Sequence, residues 1–264
     1  TIDATKLTGD LPAISGANLT GVGVAGITSS ADATAMTIDS SEKIGIGTAS
    51  PLAKLDVSGN NGSGGYVGVI RNDTNSANYH GLLVSTMYDT SNSTVLHLKT
   101  NTATPTTGGT DLLKVTGDGI VTMPKQPAFL VNARQSAPNI AVNTNTTAQF
   151  TEEVYDVNAD YNTSTYTFTA PVTGKYQLNC SLLWINWDAS ANYYYLKIVT
   201  SNRTYYELFN GGERSSDVTY AYGHIHVLAD MDANDTAYIE LYQNGGAEQT
   251  NYENQSVFGG FLAC

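Results

Sequence analysis

A single strand pattern decides the fold class of this chain: residues 175–184 are Lys175-Tyr176-Gln177-Leu178-Asn179-Cys180-Ser181-Leu182-Leu183-Trp184. The even positions are all apolar, whereas Lys175, Gln177, Asn179 and Ser181 are polar. A repeat of two is that of a β-strand with one buried and one wet face. No stretch of the chain shows a persuasive helical repeat, so the sequence predicts an all-β protein.

The composition supports this class and narrows the range of partners. Of 264 residues, 41% are hydrophobic and only 14% are charged, with 25 Gly and 17 Tyr. Tyr and Thr suit pleated strands, while Gly and Asn suit turns. The net charge of -12, with no basic cluster, argues against nucleic acid as a partner. No apolar run approaches the ~20 residues of a membrane span, so we expect no membrane insertion and see no export signal.

The sequence predicts three consecutive parts, at residues 1–34, 35–124 and 125–264. The first is a Gly-rich repeat shaft, in which Leu7-Thr8-Gly9 recurs as Leu19-Thr20-Gly21. Units this short bury no core alone, so they must stack against other chains or stay disordered. The second part is a shaft or neck module of short strands, predicted at 36–39, 44–48, 53–57, 82–88, 95–99 and 113–121. Because residue 1 is Thr, we expect the chain to be a fragment of a longer protein.

Two segments of this first half carry a family resemblance. Residues 45–57 are Gly-Ile-Gly-Thr-Ala-Ser-Pro-Leu-Ala-Lys-Leu-Asp-Val, and residues 11–20 are Leu-Pro-Ala-Ile-Ser-Gly-Ala-Asn-Leu-Thr. Both resemble segments of trimeric bacteriophage tail fibres, and similar units occur in bacterial surface proteins. The resemblance implies a trimeric, β-rich fibre shaft.

Two later predicted strands lack the polar face that a strand at the surface of a sandwich should have. Neither face of residues 220–228 is plainly polar, and the last strand, residues 257–263, is apolar on both faces. An antiparallel sheet in a lone two-layer domain should show a polar outer face, so we expect other subunits to cover it in a closed ring. The predicted trimer-interface residues are Tyr220, Tyr222, His224, His226, Phe258 and Phe261.

The last part of the chain also resembles the complement C1q and tumour necrosis factor superfamily. The spacing of Phe150, Asp156, Tyr161, Phe168, Gly174 and Tyr176 matches the family, as does the closing stretch 256–262. Leu178 and Cys180 stand where the family has aromatic residues, but both still point inward. The resemblance implies a ten-stranded, trimeric jelly-roll head with a ligand-binding apex.

In an antiparallel sandwich the connections alternate between its two ends. Residues 185–192, 210–217 and 244–254 should therefore form the apex, with Asp230–Asp235 at the other end. Exposed loops on a rigid scaffold commonly carry binding residues. The predicted ligand-binding residues are Trp187, Asp188, Asn192, Glu213, Arg214, Asp217, Glu248 and Tyr252. Trp187 suits a sugar ring, although it could equally cap the core.

We predict no cofactor, although three acidic apex residues, Asp188, Asp217 and Glu248, could hold calcium. Solvated carboxylates are the default interpretation, and Asp230–Asp235 fits a hairpin turn better than a calcium loop, because it lacks the glycine and the bidentate Glu. His224 and His226 could bind a transition metal near a threefold axis, but a tyrosine-histidine interface is favoured. Cys180 is expected to be a small core residue and Cys264 a terminal thiol, with a bridge left open.

The sequence offers no nucleophile elbow and no phosphate-binding loop, so we predict that the chain is not an enzyme. We predict that the chain is a homotrimeric tail-fibre protein on a phage virion. It should attach to a receptor on the host cell surface, and a glycan is favoured over a protein as this receptor. The alternatives are a bacterial surface adhesin of the same architecture, a polysaccharide-degrading fibre enzyme and a purely structural tip that locks the trimer.

Overall fold

A computed structural model describes residues 36–59, 66–67, 82–100, 108–134, 137–213 and 215–264. The repeat shaft predicted at residues 1–34 lies outside the described residues. The chain divides into two compact units: Thr1–Leu83 with Thr104–Thr107, and Val84–Ala103 with Gly108–Cys264. In the part of the chain that the structure describes, we find no helix with the length and apolar character of a membrane crossing.

The first unit contains a small sheet of three strands, β1 (Met36–Ile38), β2 (Ile44–Ile46) and β3 (Leu55–Val57). Strand β2 pairs with β1 in antiparallel and with β3 in parallel orientation. The turn between β1 and β2 forms because the Asp39 carboxylate accepts hydrogen bonds from the backbone N–H groups of Ser41 and Lys43, at 2.8 and 3.0 Å. The three strands predicted in this region are confirmed.

The second unit begins with another small sheet, formed by β4 (Thr94–Thr100), β5 (Thr110–Thr116) and β6 (Val121–Thr122). These strands confirm the predictions at residues 95–99 and 113–121. The strand predicted over residues 82–88 is wrong, because this segment pairs with no described strand. Its large side chains, Leu83 and Met87 among them, are exposed, so burial gives the backbone no reason to extend in one register.

Twelve strand segments build a two-layer sandwich from residue 128 onward. They are β7 (Ala128–Ala133), β8 (Thr146–Thr147), β9 (Phe150–Asp156), β10 (Tyr161–Asn162), β11 (Thr167–Thr169), β12 (Gly174–Trp187), β13 (Tyr193–Thr200), β14 (Thr204–Asn210), β15 (Val218–Met231), β16 (Thr236–Asn244), β17 (Asn251–Tyr252) and β18 (Val257–Leu262). Sheet I has the order β15-β12-β18-β7-β9, with β17 beside β12. Sheet II has the order β10-β11-β16-β13-β14, with β8 beside β16. The predicted all-β class with a jelly-roll sandwich is confirmed.

The core lies between the two sheets and is rich in aromatic side chains. On β12 the even residues, from Tyr176 to Trp184, are buried, as the alternation predicts. Phe129 of sheet I stacks on Phe168 of sheet II, with ring centroids 4.5 Å apart. Cys180 is buried in this core and Cys264 is exposed, and neither forms a disulfide. Burial raises the pKa of the Cys180 thiol.

Candidate functional site

Three loops meet at one end of the sandwich: residues 188–192, 211–217 and 245–250. The side-chain amide of Asn192 donates a 2.8 Å hydrogen bond to that of Asn244, and the Gly211 N–H donates to the Asn192 carbonyl. We call this end the loop end. Asp230–Asp235 lies elsewhere, beside residues 173–175. The Thr173 hydroxyl contacts Asp232, and the Lys175 N–H donates to the Cys264 carbonyl, so this segment is also close to Cys264. The Asp235 carboxylate accepts from the Asp232 N–H and the Asp235 N–H donates to the Asp232 carbonyl, so this segment is a tight turn. It is not the predicted hairpin, because the strands that it joins, β15 and β16, lie in different sheets.

The prediction that Trp187 displays its ring at the apex is wrong. The side chain is buried, with its ring 3.9 Å from that of Tyr194 and perpendicular to that of Trp184 at 5.6 Å. The cause is local, because Asn186 has a φ of 52°. This left-handed residue interrupts the alternation of β12, so Trp187 turns inward instead of outward. Trp187 closes the core and offers no face to a sugar.

Tyr252 was also expected at the exposed apex, and this too is wrong. Its side chain is buried, and its hydroxyl accepts a 2.7 Å hydrogen bond from the backbone N–H of Gln149. Burial raises the pKa of Tyr252 to about 12. The residue therefore ties the segment before β9 to the core and does not contact solvent.

Asp188 is a buried clamp between two loops. Its carboxylate accepts hydrogen bonds from the Ser190 N–H and hydroxyl, at 2.8 and 2.7 Å, and from the Ala247 N–H. Burial opposes ionisation, but the bonds from Ser190 and Ala247 outweigh it and lower the pKa of Asp188. A carboxylate that is satisfied in this way stabilises the loop end and is closed to an external ligand.

The remaining apex residues do not form a metal site. The Asp217 carboxylate accepts from the Ala189 N–H and the Gln249 amide, at 3.0 and 2.9 Å, and Glu248 is exposed. Within the described ranges, no three His, Cys, Asp or Glu side chains come close enough to hold an ion. Within the described part of a single chain, Asp188, Asp217 and Glu248 therefore do not come together as a calcium site. Arg214 lies outside the described residues, as does the side chain of Glu213.

The outward side of sheet I carries the predicted interface residues. Tyr220, Tyr222, His224 and His226 project from β15, with Leu228 beyond them and Phe261 on β18. We call these six side chains the open face. Tyr220 is 64% exposed, Tyr222 59% and Phe261 48%. Phe258 is the exception. Its side chain points inward from β18 and is fully buried, with its ring centroid 5.1 Å from that of Phe129. Its assignment to an interface is therefore wrong.

A recess of about 350 Å³ lies in the middle of this side, above Gly259 and Gly260. His224, His226, Phe261 and Tyr155 of β9 line it. Glycine is required at position 260, because a Cβ there would lie 2.7 Å from the Gln177 carbonyl oxygen. The paired glycines and Ser181 leave room that larger side chains would fill. Tyr155 was missed by the sequence analysis, because its strand shows no clear alternation.

The outward side of sheet II carries a group of tyrosines that the sequence analysis missed as a set. Tyr193 and Tyr195 of β13, Tyr206 of β14 and Tyr242 of β16 lie on this side, next to an ion pair in which Lys197 Nζ lies 2.9 Å from Glu240 Oε1. We call these six residues the tyrosine platform. The alternation Tyr193-Tyr194-Tyr195-Leu196-Lys197 could have revealed one row, but only the register of three strands brings the rows together.

Comparison with known proteins defines the family. The model of the C1q domain family matches residues 128–263, and the chain belongs to this family. Domains of this kind are structural and binding modules. No curated protein matches the chain at a significant level.

Solved structures that resemble the chain include three from different sources. The globular domain of zebrafish complement 1qA protein is 19% identical, with 53% of this chain and 98% of that chain covered and a TM-score of 0.40. Murine APRIL is 9% identical, with 52% and 99% covered and a TM-score of 0.39. The PRD1 vertex protein P5 is 17% identical, with 52% and 96% covered and a TM-score of 0.39.

Proposed function

We propose that the chain is the receptor-binding end of a homotrimeric phage tail fibre, whose C1q head assembles through the open face and attaches to a host-surface glycan. The observation that carries this proposal is the exposure of the open face. Tyr220, Tyr222, Leu228 and Phe261 are each about half exposed or more in the single chain, on one side of one sheet. A sheet face that exposes several large apolar and aromatic side chains on either side of the polar row of β12 marks an interaction surface.

A second copy of the chain is the partner that fits this surface best. C1q and tumour necrosis factor-like domains typically form homotrimers, so the family makes a ring of identical chains the expected assembly. A closed ring covers the patch on every subunit and leaves no unpaired copy of it. The recess above Gly259 and Gly260 offers space for a side chain of the neighbouring subunit.

The first unit supports a fibre of several chains. The sheet of β1 to β3 exposes Met36, Ile38, Ile44, Ile46, Leu55 and Val57. Three strands of three residues each bury too little apolar surface to be stable alone in water. Identical sheets on neighbouring chains would cover these side chains, in agreement with the resemblance of residues 45–57 to fibre shafts.

Attachment to a cell surface follows from combining trimeric assembly with a binding module. Three identical sites on one head raise avidity by about 10²–10⁴ without a strong single site. C1q domain proteins are generally extracellular, which agrees with a location on the outside of a virion.

Two measurements test this function. Light scattering of the full chain should give the mass of three chains, and a folded single-chain species would contradict the assembly. The purified trimer, labelled with a fluorophore, should bind intact cells of a susceptible bacterium and compete with phage adsorption. A trimer that leaves adsorption unchanged would contradict the attachment role.

A further inference from the structure

We propose that the tyrosine platform of sheet II binds a neutral glycan chain. The proposal deepens the attachment role described above and rests on it, because it names the surface and the chemical class of the receptor. It moves the contact from the loop end, where Trp187 and Tyr252 are buried, to the outward side of sheet II.

Strand register sets the layout of the platform. Tyr195 lies between Leu208 of β14 and Tyr242 of β16. In the next row Lys197 lies between Tyr206 and Glu240. Side chains on one face of adjacent strands are close neighbours, so the aromatic rings form a continuous surface that is three strands wide.

The rings are held in place by one another. Tyr195 lies 5.1 Å from Tyr193, 5.2 Å from Tyr206 and 6.1 Å from Tyr242, measured between centroids. A rigid surface built on strands loses little conformational freedom when a ligand binds. A tyrosine also combines an apolar ring face with a hydroxyl, which matches a sugar, whose C–H groups and hydroxyls lie on different sides.

Polar groups beside Tyr195 and Tyr242 supply directional contacts. Lys197 Nζ bonds Glu240 Oε1 at 2.9 Å and Asn145 Oδ1 at 2.8 Å, and it lies 5.7 and 5.6 Å from the ring centroids of Tyr195 and Tyr242. The two charged side chains are only 13% and 16% exposed. Lys197 Nζ uses two of its three donors in these bonds and keeps one N–H for a sugar hydroxyl, and a hydrogen bond from a charged group is stronger than one between neutral groups.

This ion pair also distinguishes a glycan from a protein partner. The cores of protein interfaces are depleted in Lys and Glu, whereas the platform contains both, in the row next to Tyr195 and Tyr242. The open face of sheet I, by contrast, has the tyrosines and apolar side chains of a protein interface. The net charge of -12 repels anionic polymers, so a neutral glycan is the complementary ligand.

Affinity electrophoresis of the full chain tests the proposal, in gels that contain dextran, mannan or galactan as neutral probes and polysialic acid as the anionic probe. At least one neutral polysaccharide should retard the parent. Tyr195→Ala should weaken that retardation by about fivefold, because a ring contact contributes about 1 kcal/mol. Tyr195→Phe should retain most of it, because the ring remains. Tyr88→Ala, at a 66% exposed tyrosine outside the sandwich, is the matched control and should leave retardation unchanged.

Each other outcome has a separate meaning. If Tyr195→Ala and Tyr242→Ala bind a neutral polysaccharide like the parent, the platform is overturned while the attachment role stands. Retardation by polysialic acid alone overturns the neutral class. If Tyr195→Ala lowers the mass in light scattering to one chain, the platform is an interface between copies and the proposal is overturned. A trimer that neither binds a probe nor competes with phage adsorption overturns the attachment role itself.

Discussion

Both outward sides of the sandwich carry tyrosines, two on the open face and four on the tyrosine platform, but in different surroundings. On the open face, Tyr220 and Tyr222 stand well out of the sheet, and Tyr222 stacks on His224 at 6.0 Å. On the tyrosine platform the rings pack against one another beside an ion pair. The first arrangement gains stability when another surface covers it, whereas the second is already ordered and ready for a small ligand.

The position of the strands explains the difference. Strand β15 lies at the edge of sheet I, so its outward side chains have a neighbouring strand on one side only. Strand β13 lies between β14 and β16 in sheet II, so each of its outward side chains has a neighbour on both sides. Cross-strand neighbours order aromatic rings, so tyrosines are loosely placed on β15 and packed on β13 and β16. Tyr206 agrees with this explanation, because it lies on the edge strand β14 and is 62% exposed.

Charge placed on the open face should have the largest effect. Tyr222→Glu combined with Phe261→Asp should lower the mass in light scattering from three chains towards one, because like charges would face each other in an apolar contact. Tyr195→Glu adds one charge to the other side and should leave the mass at three chains. If both variants stay trimeric, the two sides do not differ in the way that we infer.

Two phenylalanines on β18 sharpen the comparison, since Phe258 points into the core and Phe261 out of it. In the Tyr222→Glu background, where assembly contributes less, Phe258→Ala should lower the free energy of unfolding by about 3–5 kcal/mol. Phe261→Ala should change it by less than about 1 kcal/mol. Urea unfolding followed by the fluorescence of the buried Trp184 and Trp187 measures both values. Equal losses would contradict the inward and outward assignment.

Tyr252 is a buried tyrosine with which the exposed tyrosines of both sides can be compared. Its pKa is raised from 10.0 to about 12, because burial favours the neutral hydroxyl. The stability that it contributes is fully present below pH 10.0 and is lost as the pH rises through about 12. The loss should be roughly 2–3 kcal/mol, at 1.36 kcal/mol for each pKa unit.

Urea unfolding at a series of alkaline pH values measures this loss. Tyr252→Phe should flatten the decline, although a slope should remain because burial also raises the pKa of Tyr161. At neutral pH the same variant should be less stable by about 1–3 kcal/mol, because the Gln149 N–H loses its acceptor. An unchanged alkaline decline in Tyr252→Phe would contradict the role of this hydroxyl.

The smallest effect on stability is expected at the platform. Lys197→Met combined with Glu240→Met removes the ion pair without leaving either charge unpaired, and it should lower the free energy of unfolding by no more than about 1 kcal/mol. The same variant should weaken glycan retardation, because the Lys197 donor is lost. A large loss of stability would show that the ion pair belongs to the scaffold.

The sequence predicted the class and the core because alternation carries that information. The even residues of β12 are buried as expected, and the pattern around Phe168 and Tyr176 identified the family. The sequence failed at Trp187, because one left-handed residue, Asn186, reverses the parity of the next side chain. It also failed at Phe258, since an apolar run does not reveal which of its members points inward.

By itself, the sequence determined that the chain is all-β, that its last part is a C1q-type sandwich and that two of its strands, which the structure places in sheet I, have apolar residues on the face that should be polar. Only the tertiary structure decided which tyrosines meet and which tryptophan is buried. The physical reason is that a strand's own pattern gives two faces, whereas the neighbours on each face depend on pairings between segments that are distant in sequence. Tyr195 and Tyr242, 47 residues apart by their numbers, share a surface because β13 and β16 pair in this register.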